Sequence, residues 1–284
     1  MDSTTDSDQE KKSDGQQGQV ASALGPAIPR WYTESKGDNV AGGSREDVIV
    51  IQLSRMNQSE METTSTGCLR KLAAKFSNLS RPDGSAILAQ GETVVQAGVY
   101  GPVEVKQMRE NPEKATVEVF FRSKSGQQSC SDRMSEKVIR NTLETAMLTA
   151  LHPRSCISLT CQEFHNSGGL LACAINAACL AAIDAAVSMK CHIAAVTAAI
   201  TNTGIIVLDP DGQQEQEARA VCTFSFESQD SKLVSTYTSG QFSKEEFQRC
   251  LLLCQAAAGN IFAFYQDALQ KRYCQSLGDG DSED

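Results

Sequence analysis

The sequence lacks an apolar run long enough to cross a lipid bilayer. Its longest run, from Leu170 to Ile183, has 14 residues and is interrupted by Asn176, whereas a membrane-spanning helix needs about 20. The first residues also lack the basic region and apolar core of a secretory signal. We therefore expect no membrane association, and we interpret the apolar run as a helix in the core of a globular domain.

The 11 cysteines form no Cys-x-x-Cys pair, and their number is odd. Several stand among apolar residues, as Cys173 and Cys179 do, which is typical of buried, reduced cysteines. Cys250 and Cys254 are one helical turn apart, but no further cysteine or histidine completes a metal site, so we expect core packing. The three histidines share no metal-ligand spacing: His152, His165 and His192. The sequence therefore predicts neither a metal ion nor another cofactor.

Basic charge is scarce, and the net charge of −9 comes from the two ends of the chain. Residues 1–66 hold 6 basic and 11 acidic residues, whereas residues 67–274 hold 20 of each sign. A domain that binds nucleic acid would therefore need a local basic patch. We expect a disordered acidic extension over residues 1–65, a folded domain over 66–274 and an acidic tail over 275–284. Within the extension, the apolar residues 48–51 would be a short strand or a docking motif.

Apolar periodicity predicts an α+β domain in which strands and helices are interleaved. In residues 115–122, Val117, Val119 and Phe121 alternate with a second set of side chains, which is typical of a strand. Helices are expected over residues 132–151 and 169–186, and from a capping box at position 243 onwards. Further strands are expected over residues 85–90, 93–100, 155–164, 191–202, 204–208, 220–227 and 232–239.

Gly168 and Gly169 open the longest apolar helix. The free N–H groups at a helix start, together with the helix dipole, favour an anion. A phosphate site would add a hydroxyl or a cation directly after the glycines, but this chain has Leu170 and Leu171 there. The sequence thus has the frame of a phosphate site without the groups that would hold phosphate.

Three segments resemble the motifs of the RNase PH family, in the same order and spacing. Residues 85–93 resemble its first hairpin, residues 168–185 its glycine pair and Ala-rich helix, and residues 208–221 its third motif. Shorter segments are most similar to ring subunits of the eukaryotic RNA exosome: residues 80–86, 98–102 and 138–141. The resemblance covers about residues 66–272. It implies an RNase PH-like domain of the ribosomal protein S5 domain 2-like class, with mixed sheets packed with helices.

Active members of this family are phosphorolytic 3′→5′ exoribonucleases, in which phosphate attacks the terminal phosphodiester of RNA. By this resemblance, Leu170 and Leu171 replace the threonine and arginine that follow the glycine pair in active members. A second phosphate-binding arginine aligns near Ser131, and Arg133 is displaced from that position by two residues. Because phosphate and RNA are both anions, their reaction needs such a cationic cradle.

Asp211 and Glu217 are the relic positions of the family's acidic pair. Active members carry two aspartates six residues apart, and these two residues have that spacing, although they fit equally well as solvated turn and strand-edge carboxylates. Without a bound phosphate they have no nucleophile to serve. We therefore expect a non-catalytic ring subunit of the exosome. The alternatives are an active phosphate-dependent exoribonuclease that uses both carboxylates, and a nuclease or nucleic-acid-binding protein outside the exosome.

The resemblance also implies partners. They are the other RNase PH-like exosome subunits in a hexameric ring, the S1/KH cap subunits and single-stranded RNA. The candidate RNA contacts are basic residues: Lys106, Arg109, Arg133, Lys137 and Arg140. An exposed Phe120 would belong to an interface patch. The expected location is the nucleus and nucleolus, and also the cytoplasm.

Overall fold

The computed structural model describes residues 48–51, 65–66, 69–105 and 109–278. The strands are β1 Val48–Ile51, β2 Ser65–Thr66, β3 Leu72–Phe76, β4 Gly84–Gln90, β5 Thr93–Glu104, β6 Thr116–Arg122, β7 Ser155–His165, β8 Ile193–Ile200, β9 Ile206–Leu208, β10 Ala220–Glu227 and β11 Leu233–Gly240. The helices are α1 Cys130–Ala146, α2 Leu170–Asp184, α3 Gly212–Glu217 and α4 Lys244–Gly278, with a 3-10 turn at Thr149–Leu151. The predicted α+β class is confirmed.

Six strands form the first sheet, in the order β1-β3-β4-β5-β7-β6. All neighbours are antiparallel except β6 and β7, which are parallel. The side chains of β6 alternate as its sequence predicts, with Val117, Val119 and Phe121 buried and Phe120 39% exposed. The exposure of Phe120 meets the condition under which we expect it to belong to an interface.

The second sheet has five strands, in the order β11-β10-β8-β9-β2. Helix α2 packs against β4 and β5 of the first sheet and against β8 of the second, while α4 packs against β8 and β10. Residues 172–182 of α2 are all buried, because the helix is apolar nearly all round and has a sheet on two sides. Its one amide side chain, Asn176, is fully paired with the backbone of Ala195.

Helix α1 differs from the prediction at both ends. It begins at Cys130 because Ser129 and Asp132 form a capping box, in which each side chain accepts a hydrogen bond from the other residue's N–H. It ends at Ala146 because Met147 is extended, and a separate 3-10 turn follows. The predicted continuous helix over 132–151 was therefore wrong.

Strand β3 and helix α3 were not predicted from the sequence. Strand β3 has only five residues, one of them Lys75, so its alternation is too short to recognise. Helix α3 has six residues, all glycine, glutamine or glutamate, and thus carries no apolar stripe. Its start is held locally, since the Asp211 N–H donates to the Gln214 side chain at 3.0 Å.

The folded domain begins before residue 66, where we placed its start. Strand β1 pairs with β3, from Val48 opposite Lys75 to Ile51 opposite Leu72, and β2 pairs with β9. Residues 48–51 lie inside the predicted extension but form a short strand, one of the two alternatives expected for them, whereas residue 65 was expected to be disordered. They are strands because each completes the free edge of a longer strand. Helix α4 likewise continues to Gly278, beyond the predicted end at 274. The rest of the predicted extension and tail lies outside the described residues.

The cysteines in the described part of the chain are all free thiols. Cys250 and Cys254 are fully buried in the core, as predicted, and burial raises the pKa of the Cys250 thiol to about 12. Among the described residues, no three His, Cys, Asp or Glu side chains are grouped so that they could hold a metal ion. No helix in these ranges is both long enough and apolar enough to cross a membrane.

Candidate functional site

The loop before α2 runs against the turn that leads into α3. Gly168 and Gly169 both have positive φ, at +88° and +64°. A Cβ atom at Gly168 would lie 2.4 Å from the carbonyl oxygen of Pro210, a distance at which the two segments would have to separate. The glycine pair thus allows the loop and the 209–212 turn to touch.

The amino end of α2 already holds an anion, and that anion belongs to the same chain. The Gly169 N–H donates to Glu215 Oε2 at 3.0 Å, and Glu215 is placed there by helix α3. The two preceding N–H groups are also paired, Gly168 with Asn166 Oδ1 at 3.0 Å and Ser167 with Thr93 Oγ1 at 3.1 Å. Three successive donors that a phosphate could use are therefore engaged with protein atoms.

Arg70 is the cation beside this loop, and both terminal nitrogens of its guanidinium are engaged, while its buried Nε has no hydrogen-bond partner among the described residues. Its guanidinium donates to the carbonyls of Ser167 and Gly168 at 2.8 and 3.0 Å and to Asp209 Oδ1 at 2.7 Å. The Asp209 side chain is fully buried, and its second oxygen accepts from the Arg70 backbone N–H. Burial opposes the charged form of Arg70, but the hydrogen bond and charge of Asp209 outweigh it and raise the pKa of the guanidinium.

Leu170 and Leu171 begin α2 directly after the glycine pair, as the sequence predicts. Both are partly buried and pack against the main core. Their side chains add neither a hydrogen-bond donor nor a positive charge. Two apolar side chains therefore stand at the positions where, by the resemblance, a phosphate site would have a hydroxyl and a cation.

The structure does not bring Asp211 and Glu217 together. Asp211 caps the start of α3 and is 62% exposed, with one oxygen 3.6 Å from Arg70 Nη1. Glu217 ends the same helix and is exposed, about 9 Å farther along the axis at 1.5 Å per residue. Instead, the carboxylate that accepts a hydrogen bond from the Arg70 side chain is Asp209, and the one that accepts from the Gly168–Gly169 loop is Glu215.

Sequence reasoning missed the roles of Arg70, Asp209 and Glu215. Asp209 and Glu215 lay inside a segment recognised as a family motif, but nothing local shows which carboxylates point inward. Arg70 and Asp209 are 139 positions apart, so no spacing pattern connects them. One sequence feature could have identified Asp209, namely its position directly after the apolar strand β9, because a carboxylate at the end of a strand often faces a binding site.

The candidate RNA contacts fall into two groups. Arg133, Lys137 and Arg140 are exposed on α1 and form no ion pair with another described residue. Their spacing of four and three places them on one helix face. In contrast, Arg109 is paired with Glu118 at 2.6 Å, and Lys106 lies outside the described residues. The aligned position Ser131 is exposed in the first turn of α1.

The amino end of α1 lies at the same end of the molecule as the Gly168–Gly169 loop. Strands β6 and β7 are parallel, so Arg122 at the end of β6 pairs with Gln162 near the end of β7. Helix α1 follows the first strand and the loop follows the second. In addition, the charge of Asp132 raises the pKa of the Glu163 carboxyl and the charge of Lys124 lowers it, so both lie near the end of β7. The α1 basic face therefore starts at the end of the first sheet from which the Gly168–Gly169 loop also emerges.

Two adjoining family profiles match most of the folded part. Domain 1 of the 3′ exoribonuclease family, RNase PH, matches residues 68–188, and domain 2 matches residues 191–257. The chain belongs to the RNase PH family. Among RNase PH relatives, the "Exosome complex exonuclease RRP46 homolog" of Oryza sativa subsp. japonica is 30% identical over 76% of this chain and 98% of its own length. The protein of the same name from Arabidopsis thaliana is 32% identical over 72% of this chain and 92% of its own length.

Solved structures agree with this assignment to the RNase PH family. The crystal structure of rice Rrp46 superposes with a TM-score of 0.69 at 33% identity, over 72% of this chain and 96% of that chain. An archaeal exosome core subunit superposes with a TM-score of 0.61 at 16% identity, which shows the shared fold alone. The predicted family and RNase PH-like fold are confirmed.

Proposed function

We propose that this protein is a ring subunit of the RNA exosome that supports 3′-to-5′ RNA processing and degradation without catalysing phosphorolysis. The relatives named above, and the Schizosaccharomyces pombe "Exosome complex component rrp46" at 32% identity, support its place in that complex. The observation that carries the non-catalytic part is the 3.0 Å hydrogen bond from the Gly169 N–H to Glu215. At the helix start where phosphate would bind, the chain provides its own carboxylate.

Electrostatics favour the internal carboxylate over phosphate. An incoming phosphate would have to displace Glu215 and would then face Asp209 and Asp211, both near Arg70. Two unit charges of like sign at 4 Å repel by about 4 kcal/mol at an effective dielectric constant of 20. Arg70 cannot offset this, because its guanidinium is already shared among Asp209 and two carbonyl groups. The side chains of Leu170 and Leu171 contribute no donor.

Without catalysis, the role proposed for this protein is to build the ring and to bind RNA. In this proposal, the domain pairs with other RNase PH-like subunits in a hexameric ring, carries S1/KH cap subunits and lines part of the RNA path. The charges of Arg133, Lys137 and Arg140, which form no ion pair with another described residue, are its contacts to the phosphate backbone of single-stranded RNA. The proposal places the protein in the nucleus, nucleolus and cytoplasm, which microscopy of the tagged protein would test.

A phosphorolysis assay tests the non-catalytic part. The purified protein is incubated with inorganic phosphate, Mg²⁺ and end-labelled single-stranded RNA, beside an active RNase PH enzyme as the positive control. We expect no release of nucleoside diphosphates. Steady release that is lost in both Asp211→Ala and Glu217→Ala would instead establish the alternative, an active exoribonuclease. The word "exonuclease" in the names of the two plant relatives makes this alternative the one to test first.

An affinity purification tests the place in the complex. The tagged full-length chain is purified from cells under native conditions, and its partners are identified by mass spectrometry. Recovery of several RNase PH-like exosome subunits in equal amounts is the expected result. A protein recovered alone, but still able to bind RNA, would favour the third hypothesis of a nucleic-acid-binding protein outside the exosome.

A further inference from the structure

The first sheet carries a second apolar cluster on the face that points away from the main core. Four buried side chains form it, and Phe164 packs against them: Ala73, Ile87, Ala89 and Val94. Successive side chains of a strand point to opposite faces of a sheet. Because the neighbours Ala86 and Leu88 belong to the main core, the second cluster lies on the opposite face. We call this face the outer face of the first sheet.

The helix and the loop next to β4 and β5 do not account for the burial of Val94. Helix α2 makes the extensive helix contacts with both strands, but its buried residues belong to the main core on the other face. The loop after β3 reaches the outer face at Gly98, where a Cβ atom would lie 3.2 Å from Pro82 Cγ. Val94 is four residues from Gly98 along β5, which is about 13 Å at 3.3 Å per residue.

The complete burial of the outer face needs a cover from within the chain. Ala73, Ala89 and Val94 have no exposed surface in a single copy of the chain. Alanine side chains are too short to shield one another across strands that lie about 4.8 Å apart. Phe164 stands on β7, which is three positions away from the strand of Ala73 in the sheet. Since no partner is needed for this burial, the cover belongs to the same chain.

Gln96 indicates the chemistry of the cover. It lies on the outer face of β5, opposite Ile87. Its Nε2 is buried, and among the described residues it has no hydrogen-bond partner. A buried amide donor without a partner destabilises a protein, so the cover should bring an acceptor close to it. An extended peptide segment with free carbonyl groups and apolar side chains meets both requirements.

Residues 28–32 have this chemistry. They belong to residues 1–47, which precede β1, the edge strand of the same sheet. The segment reads Ile-Pro-Arg-Trp-Tyr, and Trp31 and Tyr32 are the only aromatic residues before β1. A tryptophan buries roughly 150–250 Å², which is enough to cover two neighbouring alanines. Pro29 favours an extended backbone for itself and for the residue before it, which leaves their carbonyl groups free.

The connection to β1 is long enough to reach the outer face. Residues 33–47 form a linker of 15 residues, polar in composition and with three glycines, which can extend to about 50 Å. From β1 to β5 there are three strand spacings, or about 14 Å. A tethered segment meets its site at an effective concentration on the order of millimolar. Docking within the chain is therefore favoured over docking of a separate molecule with similar affinity.

We infer that residues 28–32 dock on the outer face of the first sheet, with Trp31 packed over Ala89 and Val94. The indole ring fills the space above the short alanine side chain, and Phe164 flanks it as a second aromatic group. A carbonyl group of the segment accepts the hydrogen bond from Gln96 Nε2. The docked segment also fixes the point at which the residues before it leave the domain. This inference does not depend on the proposed function.

Trp31 provides the test, because it is the only tryptophan in the chain. Acrylamide quenching of its fluorescence is measured for the full-length protein at several protein concentrations, in buffer and in urea. We expect quenching to be severalfold weaker in the folded protein, at every concentration. Trp31→Ala should lower the melting temperature by about 3–8 °C, as expected for the loss of a buried aromatic side chain in a domain of this size. Leu24→Ala, in the same extension but outside the segment, is the matched control and should leave it unchanged.

Two adjacent positions on β5 test which surface Trp31 contacts. Val94→Thr adds a hydroxyl group to the outer face with little change in shape, and should increase the quenching of Trp31. Val95→Thr places the same group in the main core; it should lower the melting temperature and leave Trp31 protected. Equal quenching in buffer and urea, or protection that Val94→Thr leaves intact, would overturn the inference. Protection that appears only at high protein concentration would also overturn it, because the cover would then be a second copy of the chain.

Discussion

Asp184 at the end of α2 and Arg272 near the end of α4 form a salt bridge that ties the two helices together. The Asp184 side chain is 2% exposed and also accepts from the Ser85 N–H at 2.8 Å. Arg272 donates to Ser77 Oγ at 2.7 Å and lies over the Phe76 ring, 5.2 Å from its centroid. This cluster thus connects α4 with α2 and with both β3 and β4.

Arg272→Met should therefore destabilise the domain. The change keeps much of the apolar contact with Phe76 but removes the charge that neutralises Asp184. We expect a loss of about 1–3 kcal/mol, below the 3–5 kcal/mol typical of a broken buried pair, because Asp184 keeps its backbone hydrogen bonds. Urea unfolding monitored by circular dichroism measures it. Lys271→Met is the matched control, since Lys271 is exposed and its loss should change stability by less than about 0.5 kcal/mol.

Asp209→Asn should be more damaging than the same change at its neighbour Asp211. The Asp209 side chain is fully buried, whereas that of Asp211 is 62% exposed and 3.6 Å from the same arginine. Removing the Asp209 charge leaves Arg70 without its close counter-ion, which should cost about 2–4 kcal/mol. Asp211→Asn should cost less than about 1 kcal/mol. Equal effects of the two substitutions in thermal unfolding would contradict the geometry of the pair.

Local patterns explain which parts of the fold could be predicted. The alternation in β6 and the apolar helix α2 are visible in short windows, and each was placed within a few residues of its observed bounds. The pairing of β1 with β3 was not predictable in this way, because four apolar residues do not reveal which edge they complete. The same holds for the Arg70–Asp209 pair and for Glu215, whose contacts depend on how distant loops meet. The apolar pair Leu170 and Leu171 was placed correctly after the glycines at the start of α2, because both features lie within one short motif.

Glu163 provides a test of the electrostatics beside the site. Burial, with a further contribution from the charge of Asp132, raises the pKa of the Glu163 carboxyl, and the Lys124 backbone N–H and charge and His165 only partly oppose this. The folded state therefore holds this proton more tightly than the unfolded state, so the contribution of Glu163 to stability falls as the pH rises through its folded pKa. Glu163→Gln should be slightly more stable than the wild type at pH 7, by about 0.5 kcal/mol. The difference should vanish below pH ~4, where the unfolded carboxyl is also protonated. A variant that is less stable at pH 7 would show that the charged form is favoured.

Restoring the family's cradle residues should cost stability without creating activity. Leu170→Thr combined with Leu171→Arg removes two side chains that pack against the core and places a cation in the first turn of α2. Because both leucines are only partly buried, we expect a loss of about 1–3 kcal/mol. Phosphate should not bind, since Glu215 still accepts the hydrogen bond from the Gly169 N–H.

Leu252→Thr, at a position that is 65% exposed, is the control for the loss of a leucine alone. The melting temperature without phosphate measures the loss of stability. The melting temperature with about 10 mM phosphate, enough to detect millimolar binding, shows whether phosphate binds. A double variant that phosphate stabilises and that releases nucleoside diphosphates from RNA would mean that the two leucines alone silence the site and that Glu215 does not block it.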